Sequence, residues 1–225
     1  MSALGSPGIG GGLRGLVVAA SAALVAACGG GVKEPAYAVA KSTESFELRT
    51  YPQRVVAETR VEGDFGEAGD EGFRRLAGYI FGKNRSGTKL AMTAPVGMSG
   101  AADGKKIPMT APVAQRASGP SRAEWVVSFT MPEGETLASL PVPLDARVTL
   151  RELPPARVAV VRFSGRWTSE NMGEHEAALR AWARSERLPV VGDAEVNRYD
   201  PPFVPWFARR NEIWLRVEAP AARSS

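Results

Sequence analysis

FELRTYPQRVVAETRVEGDF, Phe46 to Phe65, and VTLRELPPARVAVVRFSGRW, Val148 to Trp167, repeat one pattern at an offset of 102 residues. Leu48 matches Leu150, Arg49 matches Arg151, Pro52 matches Pro154, Val56 matches Val158, Ala57 matches Ala159 and Gly63 matches Gly165. Val61 and Phe163 hold equivalent apolar positions, and Phe65 and Trp167 equivalent aromatic ones. A fixed period implies a repeated supersecondary unit. Within each unit the side chains alternate as half-buried strands do. Ala57, Thr59 and Val61 share one face, as Ala159, Val161 and Phe163 do, while Glu58, Arg60 and Arg162 point to an outer, polar face. Each unit is thus a strand, a turn at proline, a second strand and a helix. Two such units bury their apolar faces against each other and make one pseudo-twofold domain.

The same alternation continues outside the repeat. Trp125, Val127, Phe129 and Met131 line one strand face with Ser128 and Thr130 opposite, and Ile213, Leu215 and Val217 alternate with Glu212, Trp214 and Arg216. Helical spacing puts Phe73, Leu76, Ala77 and Ile80 on one face of a helix from about Gly69 to Phe81. A second helix runs from about Ser169 to Arg187, with Met172, His175, Leu179 and Trp182 on its apolar side. Many alternating strands with two helices predict an α+β fold. Closure removes exposed strand edges, so the expected form is a distorted β-barrel of two pseudo-repeated strand-strand-helix halves flanked by two helices.

KLAMTAPV at Lys89 to Val96 returns as KIPMTAPV at Lys106 to Val113. Leu90, Met92, Ala94 and Val96 alternate in the first copy, and Ile107, Met109, Ala111 and Val113 in the second, so each can line a barrel with apolar groups. This doubled motif follows FGKN at Phe81 to Asn84. FELRTYP stands at Phe46 to Pro52, YDPPF at Tyr199 to Phe203 and RRNEIWL at Arg209 to Leu215. In that order the segments resemble the SOUL haem-binding family, and the doubled copy resembles its plant and bacterial branch. The resemblance spans Tyr37 to Glu218.

Membership would imply a shallow apolar groove for a tetrapyrrole, near the first helix and the loop before the last strand. The resemblance then points to Phe73, Leu76 and Ile80 on the helix and Tyr199, Pro201 and Phe203 in the loop. Stacking and area burial would hold a flat macrocycle there, and Arg74, Arg75, Arg209 and Arg210 are the nearest cations for its propionates. Arg209 or Arg210 has a second reading, as a strand anchor paired with Glu212. Met92, Thr93, Pro95, Met109, Thr110 and Pro112 carry the family motif in a mainly structural role. His175, the single histidine, is a candidate axial ligand or a packing residue on its helix. No other metal site is indicated.

The expected function is reversible, non-catalytic binding of haem or a related amphiphile. An effector-binding module for another hydrophobic molecule would use the same interior. In a hydrolase, Glu58 or Glu212 paired with Tyr199 could act as general base, but nothing in the spacing demands it and no nucleophile elbow or HExxH helix is present.

Composition narrows the partners. The 225 residues carry a net charge of +4, with Lys and Arg scattered among Asp and Glu, which argues against nucleic acid. Cys28 is the lone cysteine. Ahead of it, LVVAASAALVAA at Leu16 to Ala27 fits the apolar core of a signal peptide and is short for a bilayer span. Val25, Ala26 and Ala27 before Cys28 resemble a lipoprotein cleavage site. The expected organisation is a signal peptide over residues 1–27, a tether over 28–36, the domain over 37–218 and a tail over 219–225. The expected location is the cell envelope, lipid-anchored through Cys28 on the periplasmic side, with the outer membrane favoured over the inner.

Overall fold

Pro52 and Pro154 each end a strand, because proline has no N–H to continue a ladder. The computed structural model describes residues 33–85, 105–118, 123–201 and 203–218. In chain order the elements are β1 (Ala38–Ser42), β2 (Phe46–Tyr51), β3 (Arg54–Glu62), α1 (Phe65–Ile80), β4 (Asn84–Arg85), β5 (Val113–Ala117) and β6 (Glu124–Thr130). They continue with β7 (Val142–Pro143), β8 (Val148–Leu153), β9 (Ala156–Phe163), α2 (Ser169–Ser185), β10 (Glu195–Arg198) and β11 (Asn211–Val217), a 3-10 turn at Trp206–Ala208 preceding the last strand. Nine strands form one antiparallel sheet in the order β1-β2-β9-β11-β10-β5-β6-β3-β8, and β4 pairs with β7 alone.

The duplication is real and its halves are interleaved. β2 pairs with β9 of the other unit, and β8 pairs with β3. Leu48 faces Ala159 while Leu150 faces Ala57, and Tyr51 faces Ala156 while Leu153 faces Arg54. The registers superimpose under the sequence offset. The quartets β2-β9-β11-β10 and β5-β6-β3-β8 meet where Glu195 of β10 lies opposite Arg116 of β5. Gly63 and Gly165, at equivalent positions, have φ of +124° and +121°. Glycine alone takes this backbone without strain as the chain turns from strand toward helix.

Each helix covers its own half. Leu76, Tyr79 and Ile80 of α1 pack with Ala57, Val127, Phe129 and Met131, and Met172 and Leu179 of α2 pack with Ala159, Val161, Ile213 and Leu215. α1 begins a turn earlier than its apolar spacing predicts. Gly69 and Gly72 weaken the helical signal, but they let the helix lie close to the sheet. A Cβ on Gly72 would come within 2.5 Å of Val127 Cγ2.

Two expectations need correction. Among the described residues the sheet is open, with β1 and β8 as its edges. Those edges are protected by charge rather than by closure: Lys41 of β1 pairs with Glu186, and Arg151 of β8 with Glu58. The face expected to be polar and outside also holds a small core, in which Val158, Val160 and Trp214 pack with Tyr51 and Tyr37. Side chains from β3, β6, β8, β9 and β11 line one cavity there, so the sheet curls around this face.

Candidate ligand cavity

On the helix side, the junction of the two halves leaves a gap that neither helix covers. It is a cavity of about 320 Å³ walled by Phe73 of α1, by Met109, Ala111 and Val113, and by Trp167, Tyr199 and Pro201. That volume lies at the lower end of small-molecule sites, roughly 300–1,000 Å³. Met109, Ala111 and Val113 line the cavity and Ile107 lies in the adjoining core. Thr110 lines the cavity too and the strand begins only at Val113, so the predicted strand-like alternation of the second motif copy holds only in part. Asn84 fixes the approach to this segment by donating from Nδ2 to the carbonyls of Tyr79 (2.7 Å) and Lys105 (2.8 Å). Thr110 is buried and donates to the carbonyl of Thr130. Pro112 immediately precedes the strand β5. Met92, Thr93 and Pro95 of the first copy lie outside the described residues, as does Cys28.

The cavity holds a cation that sequence reasoning missed. Arg198 sits on the inward face of β10 and is buried. Its Nη2 donates to Gln115 Oε1 at 2.8 Å, and its guanidinium lies 4.7 Å from the Trp167 ring centre and 5.5 Å from that of Phe65. Phe65 and Trp167, the equivalent aromatics of the two repeats, therefore flank one arginine. Burial pushes its pKa down, with Asp70 opposing. Among the described residues no carboxylate comes within ion-pair distance of it. The four-residue strand EVNR is too short for its alternation to reveal this placement.

Gly69 makes room for the arginine. A Cβ there would stand 2.0 Å from Arg198 Nη2 and 2.7 Å from Gln115 Oε1. Gly69→Ala is expected to expel the guanidinium and lower stability by about 1–3 kcal/mol, the range for overpacking. Chemical denaturation measures that loss.

The other predicted contacts divide. Phe73, Tyr199 and Pro201 line the cavity. Leu76 and Ile80 do not, because they point into the sheet and are fully buried in the core. Arg74 and Arg75 lie on the far side of α1 in an open, charged depression, both paired with Glu71. Phe203 is 84% exposed and absent from the cavity wall. Arg209 packs over Trp167 at 4.4 Å and donates to the carbonyl of Val204 at 2.8 Å, so it supports the wall from behind. Arg210 is a strand anchor, holding Glu34 at 2.7 Å and Glu212 at 2.8 Å.

Glu212 is fully buried on the curled face of the sheet. It accepts from Arg49 Nη1 (2.7 Å), Arg210 Nη2 (2.8 Å), Tyr199 Oη (2.7 Å) and Trp214 Nε1 (2.8 Å). Burial alone would raise its pKa, but the bonds and charges of Arg49, then the charge of Arg210, outweigh it and hold the carboxyl below its ordinary value. Burial and the charge of Glu212 push the Tyr199 phenol well above its own. The carboxylate–tyrosine pair considered for a hydrolase thus exists, but its carboxylate is saturated by donors and poorly basic. Glu58 is occupied by Arg151.

His175 stacks on Phe163, with ring centres 4.2 Å apart, and burial lowers its pKa. It packs α2 and does not line the cavity. Met109 is the thioether in the wall. No cluster of three metal-ligating His, Cys, Asp or Glu side chains occurs among the described residues. The wall suits a flat, largely apolar body held by area and stacking, with one buried cation, Arg198, and the carboxylates of Asp70 and Asp200 among its polar groups.

The family described as SOUL heme-binding protein matches residues 32–216. Heme-binding protein 2 of Homo sapiens is 30% identical over 76% of this chain and 77% of its own length. Heme-binding protein 1 of Xenopus laevis is 27% identical over 78% of this chain and 85% of its own. Among solved structures the C-terminal domain of EcmrR superimposes with a TM-score of 0.54 at 11% identity, covering 77% of this chain and 96% of that one. A hydrolase from Listeria innocua gives 0.51 at 13%, covering 79% and 94%. At such identities these two show a shared fold alone.

Proposed function

Since the chain belongs to the SOUL heme-binding protein family, we propose that it binds haem or a related anionic tetrapyrrole, without catalysis, in the cavity between Phe73 and Pro201. The observation that carries the reading is Arg198, a buried cation with no carboxylate at ion-pair distance among the described residues, in a mostly apolar wall whose other polar groups include Asp70, Thr110 and Asp200. A propionate or similar carboxylate supplies the missing counter-charge through a charge-assisted hydrogen bond. Phe73 and Trp167 offer ring faces and edges to a flat macrocycle. With no histidine in the wall, retention rests on these contacts, and the ligand exchanges readily. The protein acts in the cell envelope, anchored through a lipid on Cys28, and scavenges or transfers its ligand there. The apolar run before Cys28 supports that placement. Among the described residues no helix is long and apolar enough to cross a membrane.

Haem titration of the chain from Gly29 onward, followed at the Soret band, tests the cavity. The expected result is saturable one-to-one binding. Trp167→Ala and Arg198→Leu should each weaken it about tenfold, corresponding to about 1.4 kcal/mol. His175→Ala and the pair Arg74→Ala/Arg75→Ala should leave it unchanged. Binding that never saturates, or that ignores Trp167 and Arg198 while depending on His175, would sink this site.

A further inference from the structure

The loop that follows the cavity wall is built to show aromatic rings to its surroundings. Phe203 is 84% exposed, Phe207 65% and Trp206 50%. The loop is nonetheless fixed. The Gly165 N–H donates to the Trp206 carbonyl (3.0 Å), Val204 N–H to the Pro201 carbonyl (3.1 Å) and Ala208 N–H to the Pro205 carbonyl (2.9 Å). Trp206 and Phe207 meet edge to face at 5.7 Å. Pro201 before the loop and Trp167 beside it both line the cavity, so the loop that carries the three rings adjoins the cavity at its rim, although the rings themselves are not in its wall. Arg166 lies over the Trp206 ring at 5.7 Å and has no carboxylate partner among the described residues.

The N-terminal chain enters at the same rim. The Ala111 N–H donates to the Lys33 carbonyl at 2.9 Å, and Ala111 lines the cavity. Glu34 is held by Arg210, whose guanidinium lies 3.8 Å from the ring centre of the cavity residue Tyr199. The stretch expected to be a free tether is therefore fastened to the domain at Lys33 and Glu34. Only four residues lie between Cys28 and Lys33, and the five backbone steps that join them reach at most about 18 Å. A domain of this length is on the order of 40 Å across. A bilayer holding Cys28 meets the rim, not the opposite side.

We propose that Phe203, Trp206 and Phe207 form a lipid-contact surface through which the cavity exchanges its ligand directly with the bilayer. Aromatic rings beside cations are the side chains that settle at a membrane–water interface. Phe81, Val142 and Leu144, also exposed, flank α1 and the β4–β7 ladder and carry no such argument. The proposal rests on the lipid-anchor reading of Cys28.

Cys28 is the one cysteine of the chain, which allows the anchor to be supplied chemically. All three core clusters draw on residues from Tyr37 to Val217, so the chain starting at Cys28 retains the whole fold. It is coupled to maleimide-headgroup lipid in phosphatidylethanolamine–phosphatidylglycerol vesicles, with and without brominated acyl chains. Trp206 emission is isolated by difference against Trp206→Phe. Bromolipid should quench Trp206, and Phe203→Ser/Phe207→Ser should remove at least half of that quenching. Unquenched Trp206, or quenching indifferent to the two phenylalanines, overturns the surface. Haem titration of the same preparation separates the two readings: unquenched Trp206 in a chain that binds haem normally defeats the surface and leaves the cavity standing. An unmodified Cys28 on the protein recovered from its native cells defeats the proposal at its premise.

Discussion

Glu212→Ala is expected to cost about 3–5 kcal/mol of folding stability, the range for breaking a buried ion pair from one side. The substitution leaves Arg49 without its buried partner and strands the Tyr199 hydroxyl and the Trp214 indole N–H. Arg210 keeps Glu34, which limits the damage. At about 2–4 °C per kcal/mol for a domain of this size, the melting temperature should fall by on the order of 10 °C. Arg49→Leu/Glu212→Leu should recover part of the loss, because removing both charges leaves neither buried alone. The same network sets the acid limb. A carboxylate held below its ordinary value adds stability that is complete above the unfolded-state pKa of about 4.3 and fades as pH falls through the lower folded value. Urea midpoints between pH 3 and 6 should therefore decline less steeply in Glu212→Gln than in the parent. An unchanged slope would show that other carboxylates govern acid unfolding.

Leu76→Ala separates core from site. Leu76 is 0% exposed between α1 and the sheet, and truncating such a leucine costs about 2–5 kcal/mol through lost burial and the cavity left behind. It does not line the ligand cavity, so the haem Kd of the folded fraction should stay within about twofold, as expected for independent sites. A large loss of affinity without a loss of stability would return Leu76 to the ligand site.

Much of the architecture was legible because period-two alternation and a long repeat survive in the residues. The pattern that puts Ala57 and Ala159 on a buried face identifies the face, but it carries no information on which strand lies alongside. Hence the crossing of β2 to β9 and of β8 to β3 was invisible, and so was the open sheet. The cavity was legible to the level of helix and loop. Phe73, Tyr199 and Pro201 meet as expected, whereas Leu76 and Ile80 share the apolar stripe of Phe73 but sit deeper around the helix. Glu212 reads as an outward residue in alternation with Ile213; only the curl of the sheet, which brings Tyr51 and Trp214 over that face, makes it interior. Arg198 could not be singled out among many arginines without the short strand that turns it inward.

The exchange of strands between the repeats governs how the chain reaches this state. β2 finds its partner β9 more than a hundred residues later, and β3 finds β8 nearly as far downstream. Neither repeat can complete its own sheet. Contacts so distant in sequence close late and slowly, on the millisecond-to-second scale typical of such topologies. A growing chain must therefore carry β2 and β3 with open edges until the second repeat has emerged, so an early truncation leaves an unfinished sheet rather than half a protein.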